Sequence, residues 1–379
     1  MDRRSFVRSA CVGGCIGVAG CLGAFSDDAE WTFGTDLERT ITVDDDAVYV
    51  NERTEHRESV IHALDRRTGE EEWSITIDGV PWGPWVTEGG RLIAALRVFP
   101  DDGDSQFYVR AIDTASGHQL WETRAFIGSG RPRIFPVADG EEVFFQEDEE
   151  IVAVDADSGD ELRTYEMPSH VRTDSRRIDL HDDIVWGVIR KESGQPLLAG
   201  LSRGLDDVFW EWDTEGNGVE TTIAGDEYLY ALVDEGTGDP YRIAAVDSQT
   251  GEETWSVRKG TVAQLTYRRG DVYFLHSSAS PSDNQWAIDC LEASTGEQRW
   301  STTVEYQDVT ADEEFVYLTN DRGKATALDG SDGSEVFETD LNAGMLGDDE
   351  GFERGVGDDG YLYAISDRGT LYAFDADDA

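Results

Sequence analysis

Short β-like runs fill this chain and come in groups of four. One group reads Thr221-Thr222-Ile223, then Tyr228-Leu229-Tyr230-Ala231-Leu232-Val233, then Tyr241-Arg242-Ile243-Ala244-Ala245-Val246, and finally Glu253-Thr254-Trp255-Ser256-Val257. Gly, Asp, Asn or Pro punctuates the gaps, and the runs are rich in Val, Ile, Tyr and Trp, which suit a pleated, half-buried surface. No window beyond the first residues supports a helix of ordinary length. The pattern predicts units of four short antiparallel strands.

A second signal fixes the period. An Ala-x-Asp step precedes a Thr-Gly or Ser-Gly turn, with an aromatic residue eight positions after the Asp. Clear copies are Ala63-Leu64-Asp65 with Thr68-Gly69 and Trp73, Ala111-Ile112-Asp113 with Ser116-Gly117 and Trp121, and Ala245-Val246-Asp247 with Thr250-Gly251 and Trp255. Weaker ones run from Asp155 to Arg163, Glu292 to Trp300 and Asp329 to Phe337, and a decayed one from Ser202 to Trp210. The eighth, Ala373-Phe374-Asp375, meets the end of the sequence before its aromatic. A period of roughly 40–45 residues marks propeller blades or solenoid turns. Four strands per period selects an all-β propeller.

The Gly of each turn supplies φ > 0 between the third and fourth strands. The small Ala leaves room for a large side chain, so the aromatics are expected to pack between neighbouring blades and not to form ligand platforms. Counting depends on both ends of the chain. The eighth unit lacks a fourth strand, and Glu30-Trp31-Thr32-Phe33 is a fourth strand with no repeat before it. Letting the Trp31 strand complete the Asp375 blade closes the ring at eight and covers that blade's open edge. A ring of seven would make the Ser202–Trp210 unit an insertion. The run Ile184–Ile189 before it reads as an ordinary second strand.

The repeat resembles that of the pyrroloquinoline quinone (PQQ)-like propeller family, from Trp31 to Asp375. The resemblance implies one of two things. The chain is either a non-enzymatic eight-bladed scaffold, like the bacterial outer-membrane assembly lipoprotein, or a quinoprotein oxidoreductase with PQQ and a divalent ion in the channel. The eight-bladed dehydrogenases of the family carry adjacent cysteines under the quinone, and no Cys-Cys pair stands beyond residue 20 here. No Cys-x-x-Cys-His haem site, nucleophile elbow or P-loop is present either. The expectation is therefore a non-enzymatic binding or assembly scaffold with no cofactor and no metal.

The first residues change the picture of location. Arg3-Arg4 is followed by a short Gly-rich apolar stretch ending in Val18-Ala19-Gly20-Cys21. A twin-arginine pair before such a stretch reads as an export signal, too short for a transmembrane helix of about 20 residues. The Val-Ala-Gly-Cys step resembles a lipobox. The expected organisation is a signal over residues 1–20, a lipidated Cys21 with an acidic tether over 21–30, and the propeller over 31–379. This places the protein on the extracytoplasmic face of the membrane.

Net charge is −49, with 80 acidic side chains against 31 basic ones, of which only Lys191, Lys259 and Lys324 are lysines. Such a surface suits molar salt, where a Debye length of about 3 Å suppresses self-repulsion. With the export signal it points to a halophilic archaeal source, and it excludes nucleic acid, which needs a basic footprint. The expected partner is a protein or glycan at the cell surface, bound by a monomer. Cys290 takes the Ala position of its repeat, so no disulfide is expected.

Candidate chemistry is sparse. The histidines at 56, 62, 118, 170, 181 and 276 show no metal-ligand spacing, and most are expected to face solvent. Asp155-Ala156-Asp157-Ser158-Gly159 looks like a calcium loop but lacks EF-hand spacing and coincides with the repeat turn. What remains is the ring of loops leading into the innermost strands. Arg39, Arg131, Arg133, Arg172 and Arg354 fall there, with Arg176 and Arg177 farther along and Trp82 and Trp85 in Pro81-Trp82-Gly83-Pro84-Trp85. Arginine and tryptophan dominate interface hot spots. These residues are the expected partner-binding mouth, or else salt partners of nearby carboxylates that stabilise the ring.

Overall fold

The computed structural model describes residues 29–376 apart from 35, 55–56, 101–103, 128–133, 148–149, 167–177, 182–183, 191–195, 216, 237–240, 278–285 and 343–349. The described residues form eight antiparallel sheets, one per repeat, and every regular element among them is a strand. We number the blades 1 to 8 from Leu37 and call the strands of each innermost, second, third and outermost, in chain order. Blade 5 is representative, with strands Gly218–Ala224, Tyr228–Asp234, Tyr241–Asp247 and Glu253–Lys259. The decayed repeat is a full blade, blade 4, with Ile184–Arg190 as its second strand. The count is eight.

Closure follows the expected route. Trp31–Phe33 is the outermost strand of blade 8, in register Trp31↔Ala373, Thr32↔Tyr372 and Phe33↔Leu371. Arg66 fastens the joint from the blade 1 turn. Its buried guanidinium sits 2.8 Å from the Asp358 carboxylate and donates to the Asp358 carbonyl at 3.0 Å, while its own carbonyl accepts the Tyr363 hydroxyl at 2.9 Å.

The repeat Asp and Trp each have a visible job. Asp65 Oδ1 accepts the Thr68 amide at 2.7 Å and the Thr68 hydroxyl at 2.8 Å, which pins the turn and lets Gly69 sit at φ +68°. Those hydrogen bonds hold the Asp65 carboxyl below its ordinary range. Asp155 makes the same contacts to Ser158, so the calcium-like sequence is a turn. Each aromatic lies opposite the small residue of its own repeat, as in Ala63↔Trp73, Cys290↔Trp300 and Gly200↔Trp210. The indole then covers the turn glycine of the next blade: Trp31 on Gly69, Trp73 on Gly117, Trp121 on Gly159, Trp210 on Gly251, Trp255 on Gly296, Trp300 on Gly333. Each indole N–H donates to the carbonyl just after the next blade's repeat Asp or its equivalent, at 2.7–3.3 Å. The aromatics are therefore seam residues, as expected.

The seam between blades 3 and 4 is built differently. Arg163 stands in the Trp position, and its Nε donates to the Arg203 carbonyl at 2.8 Å while its two terminal nitrogens grip Glu142 at 2.7 and 2.6 Å. The guanidinium keeps the carbonyl contact and trades the indole's apolar cover for a charged network with Arg203 and Asp139. The core as a whole is a ring of apolar clusters, each lying between two adjacent blades.

Candidate binding mouth of the central channel

An innermost strand has a partner on one side only, and its other edge faces the channel. Backbone amides there need acceptors. Side chains of the neighbouring blade supply them. Gln264 Oε1 of blade 6 accepts the Val309 amide of blade 7 at 2.8 Å. Asp308 Oδ2 and Thr310 Oγ1 of blade 7 accept the Gly355 and Gly357 amides of blade 8, each at 3.2 Å. Arg268 Nε donates to the Ala311 carbonyl at 2.9 Å. The wall is thus stitched from blade to blade by polar side chains.

This wall encloses a cavity of about 820 Å³, bounded by the innermost strands of blades 5 to 8 and by the Thr319-Asn320-Asp321 turn. Its named polar groups include Gln264, Arg268, Asp308, Asp321 and Arg354. Burial pushes the Asp308 carboxyl up, against the opposing pull of the Gln264 amide, the Gly355 N–H and the Arg354 charge. The cavity volume lies in the range of small-molecule and loop-binding clefts.

The expected mouth residues separate. Arg354 is exposed and lines the cavity. Arg39 is held by Glu353 of blade 8, with Nε 2.6 Å and a terminal nitrogen 2.5 Å from the two carboxylate oxygens, so its charge is already matched. Trp85 is 4% exposed in the core between blades 1 and 2, so the placement of this side chain on an accessible mouth is corrected. Trp82 is half-buried against Phe107, with the Arg97 guanidinium 4.8 Å from its ring centre. Both follow from an interruption of the innermost strand of blade 2, which pairs as Val80–Pro81 and again as Val86–Glu88 with the Trp-Gly-Pro-Trp segment between. Arg131, Arg133, Arg172, Arg176, Arg177 and Cys21 lie outside the described residues.

Sequence reading missed Gln264 and Asp308, because nothing in one sequence distinguishes a channel-facing polar residue from any other on the same strand face. Two histidines are exceptions to the general expectation of exposure. His62 and His276 do not face solvent. His62 Nδ1 is 2.7 Å from Glu71 Oε2, and His276 Nε2 is 3.3 Å from Asp289 Oδ1. Each fills the space between strands beside a carboxylate. His118 is exposed as expected, and His56 and His170 lie outside the described residues.

The enzymatic branch of the resemblance needs a cation site beside a quinone. Among the described residues no three His, Cys, Asp or Glu side chains gather as cation ligands. Cys290, the described cysteine, is free, is buried opposite Trp300, and has its thiol pushed up to about 12 by burial.

A family profile described as outer membrane protein assembly factor BamB matches residues 18–193 and 284–379. No curated protein sequence matches the chain. Among solved structures, the quinohemoprotein alcohol dehydrogenase from Comamonas testosteroni is 14% identical, with 92% of this chain and 76% of that one covered at a TM-score of 0.62. The C-terminal WD40 domain of Sif2 is 9% identical, with 93% and 97% covered at a TM-score of 0.59. BamB from Moraxella catarrhalis is 18% identical, with 89% and 85% covered at a TM-score of 0.44. At these identities the first two likenesses carry the propeller fold and nothing finer.

Proposed function

The chain belongs to the propeller family described as outer membrane protein assembly factor BamB, and from that premise we propose that it is a membrane-anchored, extracytoplasmic binding or assembly scaffold and not a catalyst. The observation that carries this reading is the channel wall. Gln264, Asp308 and Thr310 line the cavity and hold neighbouring blades together, so these polar groups already serve the ring. Arg354 is left at the cavity rim as a recognition group. Lipid on Cys21 supplies the anchor, and the twin-arginine signal supplies export of an already folded ring. The acidic, lysine-poor composition fits a halophilic archaeon. The partner there is not an outer-membrane barrel assembly; it is a cell-surface protein or glycan.

The test is affinity purification from detergent-solubilised membranes in molar salt, comparing wild type with Cys21→Ala and Arg354→Gln. The reading expects Cys21→Ala to release the protein from membranes. It expects a reproducible partner whose recovery falls with Arg354→Gln. Absence of any partner, together with saturable binding of PQQ and calcium and dye reduction by alcohols or sugars, would replace the scaffold with an oxidoreductase.

A further inference from the structure

Among the described residues the exposed large apolar side chains are Leu120, Leu162, Val208 and Phe209. All four stand on the outermost strands of three consecutive blades, 2, 3 and 4. Leu120, Leu162 and Phe209 share one repeat position, immediately before the seam residues Trp121, Arg163 and Trp210. That position holds Glu30 in blade 8, Glu72 in blade 1, Thr254 in blade 5 and Arg299 in blade 6, while Val336 of blade 7 is half-buried. Four of the eight blades carry a polar residue at this rim position, and the three exposed apolar ones fall on one arc of the ring.

Blade 4 departs furthest. Its outermost strand, Val208–Asp213, pairs on one side with Pro196–Ser202 and ends the sheet on the other. Exposed edges are ordinarily guarded by charge, yet here Val208 is 39% and Phe209 56% exposed. The ladder to the third strand runs Leu201↔Val208, Gly200↔Trp210 and Ala199↔Glu211, so Phe209 is the extra residue of a bulge, and Val208 and Glu211 share the face of Leu201 and Ala199. That face looks toward blade 3. Ala199 and Leu201 belong to the apolar cluster against which Tyr165 of blade 3 packs. Phe209 is the exposed residue of that bulge, next to Trp210 on the outer edge of blade 4. Asp207, Glu211 and Asp213 are exposed on the same strand and its approach, and from Gly204 to Tyr241 the chain carries no lysine or arginine.

We propose that the outer edge of blade 4 is a docking strand for an extended, basic segment of a partner protein, which adds to Val208–Asp213 as a fifth strand. An apolar side chain of that segment covers Phe209, and an arginine or lysine farther along meets Glu211. Strand addition draws affinity from main-chain hydrogen bonds and specificity from alternate side chains. Charge decides against the other occupants. A second copy would set an acidic edge in direct contact with an acidic edge, and an anionic lipid headgroup would meet Asp207 and Glu211, and charges in contact are the ones that salt screens least. The proposal rests on the scaffold reading but does not involve the channel cavity.

The probe is a short fluorescein-labelled peptide of Val-Thr strand sequence carrying one Phe and two Arg, beside a version with Glu in place of Arg, titrated against the full chain. Anisotropy reports binding, and hydrogen exchange reports protection over 208–213. The expected result is saturable binding of the basic peptide only, weakened at least about tenfold by Phe209→Ser and by Glu211→Arg. Glu72→Ser, the matching rim position of blade 1, should leave it unchanged, with equal thermal unfolding of all variants confirming an intact ring. Binding indifferent to Phe209→Ser overturns the proposal, as does no binding of the basic peptide, or a concentration-dependent dimer abolished by Phe209→Ser. Partner capture from membranes that survives Phe209→Ser would remove this edge and leave the scaffold reading standing.

Discussion

Replacing Trp31 with alanine tests the closure of the ring at its least redundant point. The indole lies over Gly69, where even a single added Cβ would come within 2.5 Å of the ring. It stands 5.9 Å from the Tyr363 ring and donates to the Arg66 carbonyl at 3.3 Å. Emptying a fully buried aromatic site costs about 3–5 kcal/mol, and a neutral hydrogen bond contributes about 1 kcal/mol. Trp31 is only partly buried and its hydrogen bond is long, so the expected loss is about 2–3 kcal/mol. Trp121, 6% exposed with a 2.7 Å bond to the Ala156 carbonyl, sets the comparison, and its alanine variant should lose about 4 kcal/mol. The two variants should also differ in kind. Trp31 anchors a three-residue strand whose only ladder is to Leu371–Ala373, so its loss should release amide protection in 371–375 well below global unfolding. Denaturant unfolding in molar salt measures the magnitudes, and hydrogen exchange locates them. If Trp31→Ala unfolds like wild type and protection in 371–375 is unchanged, the clasp is not made by this residue and the reasoning fails.

Gly200 faces Trp210 across the blade 4 ladder with no room for a Cβ, so Gly200→Ala should cost about 1–3 kcal/mol of overpacking; a neutral result in the same unfolding assay would refute that geometry. Asp289 is held at about 2 because hydrogen bonds from His276, Lys259 and Ser301 outweigh burial, the largest single influence and one that raises it. Its folded value is depressed, so its contribution of about 2 kcal/mol is present above pH 4 and lost as pH falls toward 2. Asp289→Asn should flatten stability over that window, and an unchanged acid limb would count against the cluster. Arg39→Gln removes an exposed pair with Glu353 and should change stability by no more than about 1 kcal/mol. Replacing Arg131, Arg133 and Arg354 together with Gln should leave the melting temperature unchanged while weakening capture of an anionic ligand, more at low salt than at high; a large thermal loss with binding intact would make them structural.

The architecture was legible because each repeat writes its packing partner into its own sequence. A small residue at Ala63 or Cys290 announces the ring opposite it, and Asp65 with Thr68 announces the turn. The orphan Trp31 announced closure for the same reason. The mouth was less legible. Trp85 reads as an interface residue from composition alone, and only the broken innermost strand of blade 2 turns it inward. Arg39 reads as a free cation until blade 8 delivers Glu353 from more than three hundred residues away. Arg163 reads as decay of the motif, yet its guanidinium reaches the same carbonyl position that an indole reaches elsewhere. The apolar rim of blades 2 to 4 is visible in the letters before Trp121, Arg163 and Trp210, but only exposure distinguishes it from core.

Every seam indole lands on two things that have no side-chain identity: a glycine and a main-chain carbonyl. The residues offering that carbonyl are Arg66, Thr114, Ala156, Ser248, Ala293 and Gly330, five different amino acids at six joints of one kind. A joint of this kind asks nothing of its partner's letter, so adjoining blades are free to drift without coordinated change. The blades are in that sense interchangeable parts. Sequence can wander almost to chance similarity while the ring keeps its geometry, and new rims or mouths can be cut into single blades without loosening the next.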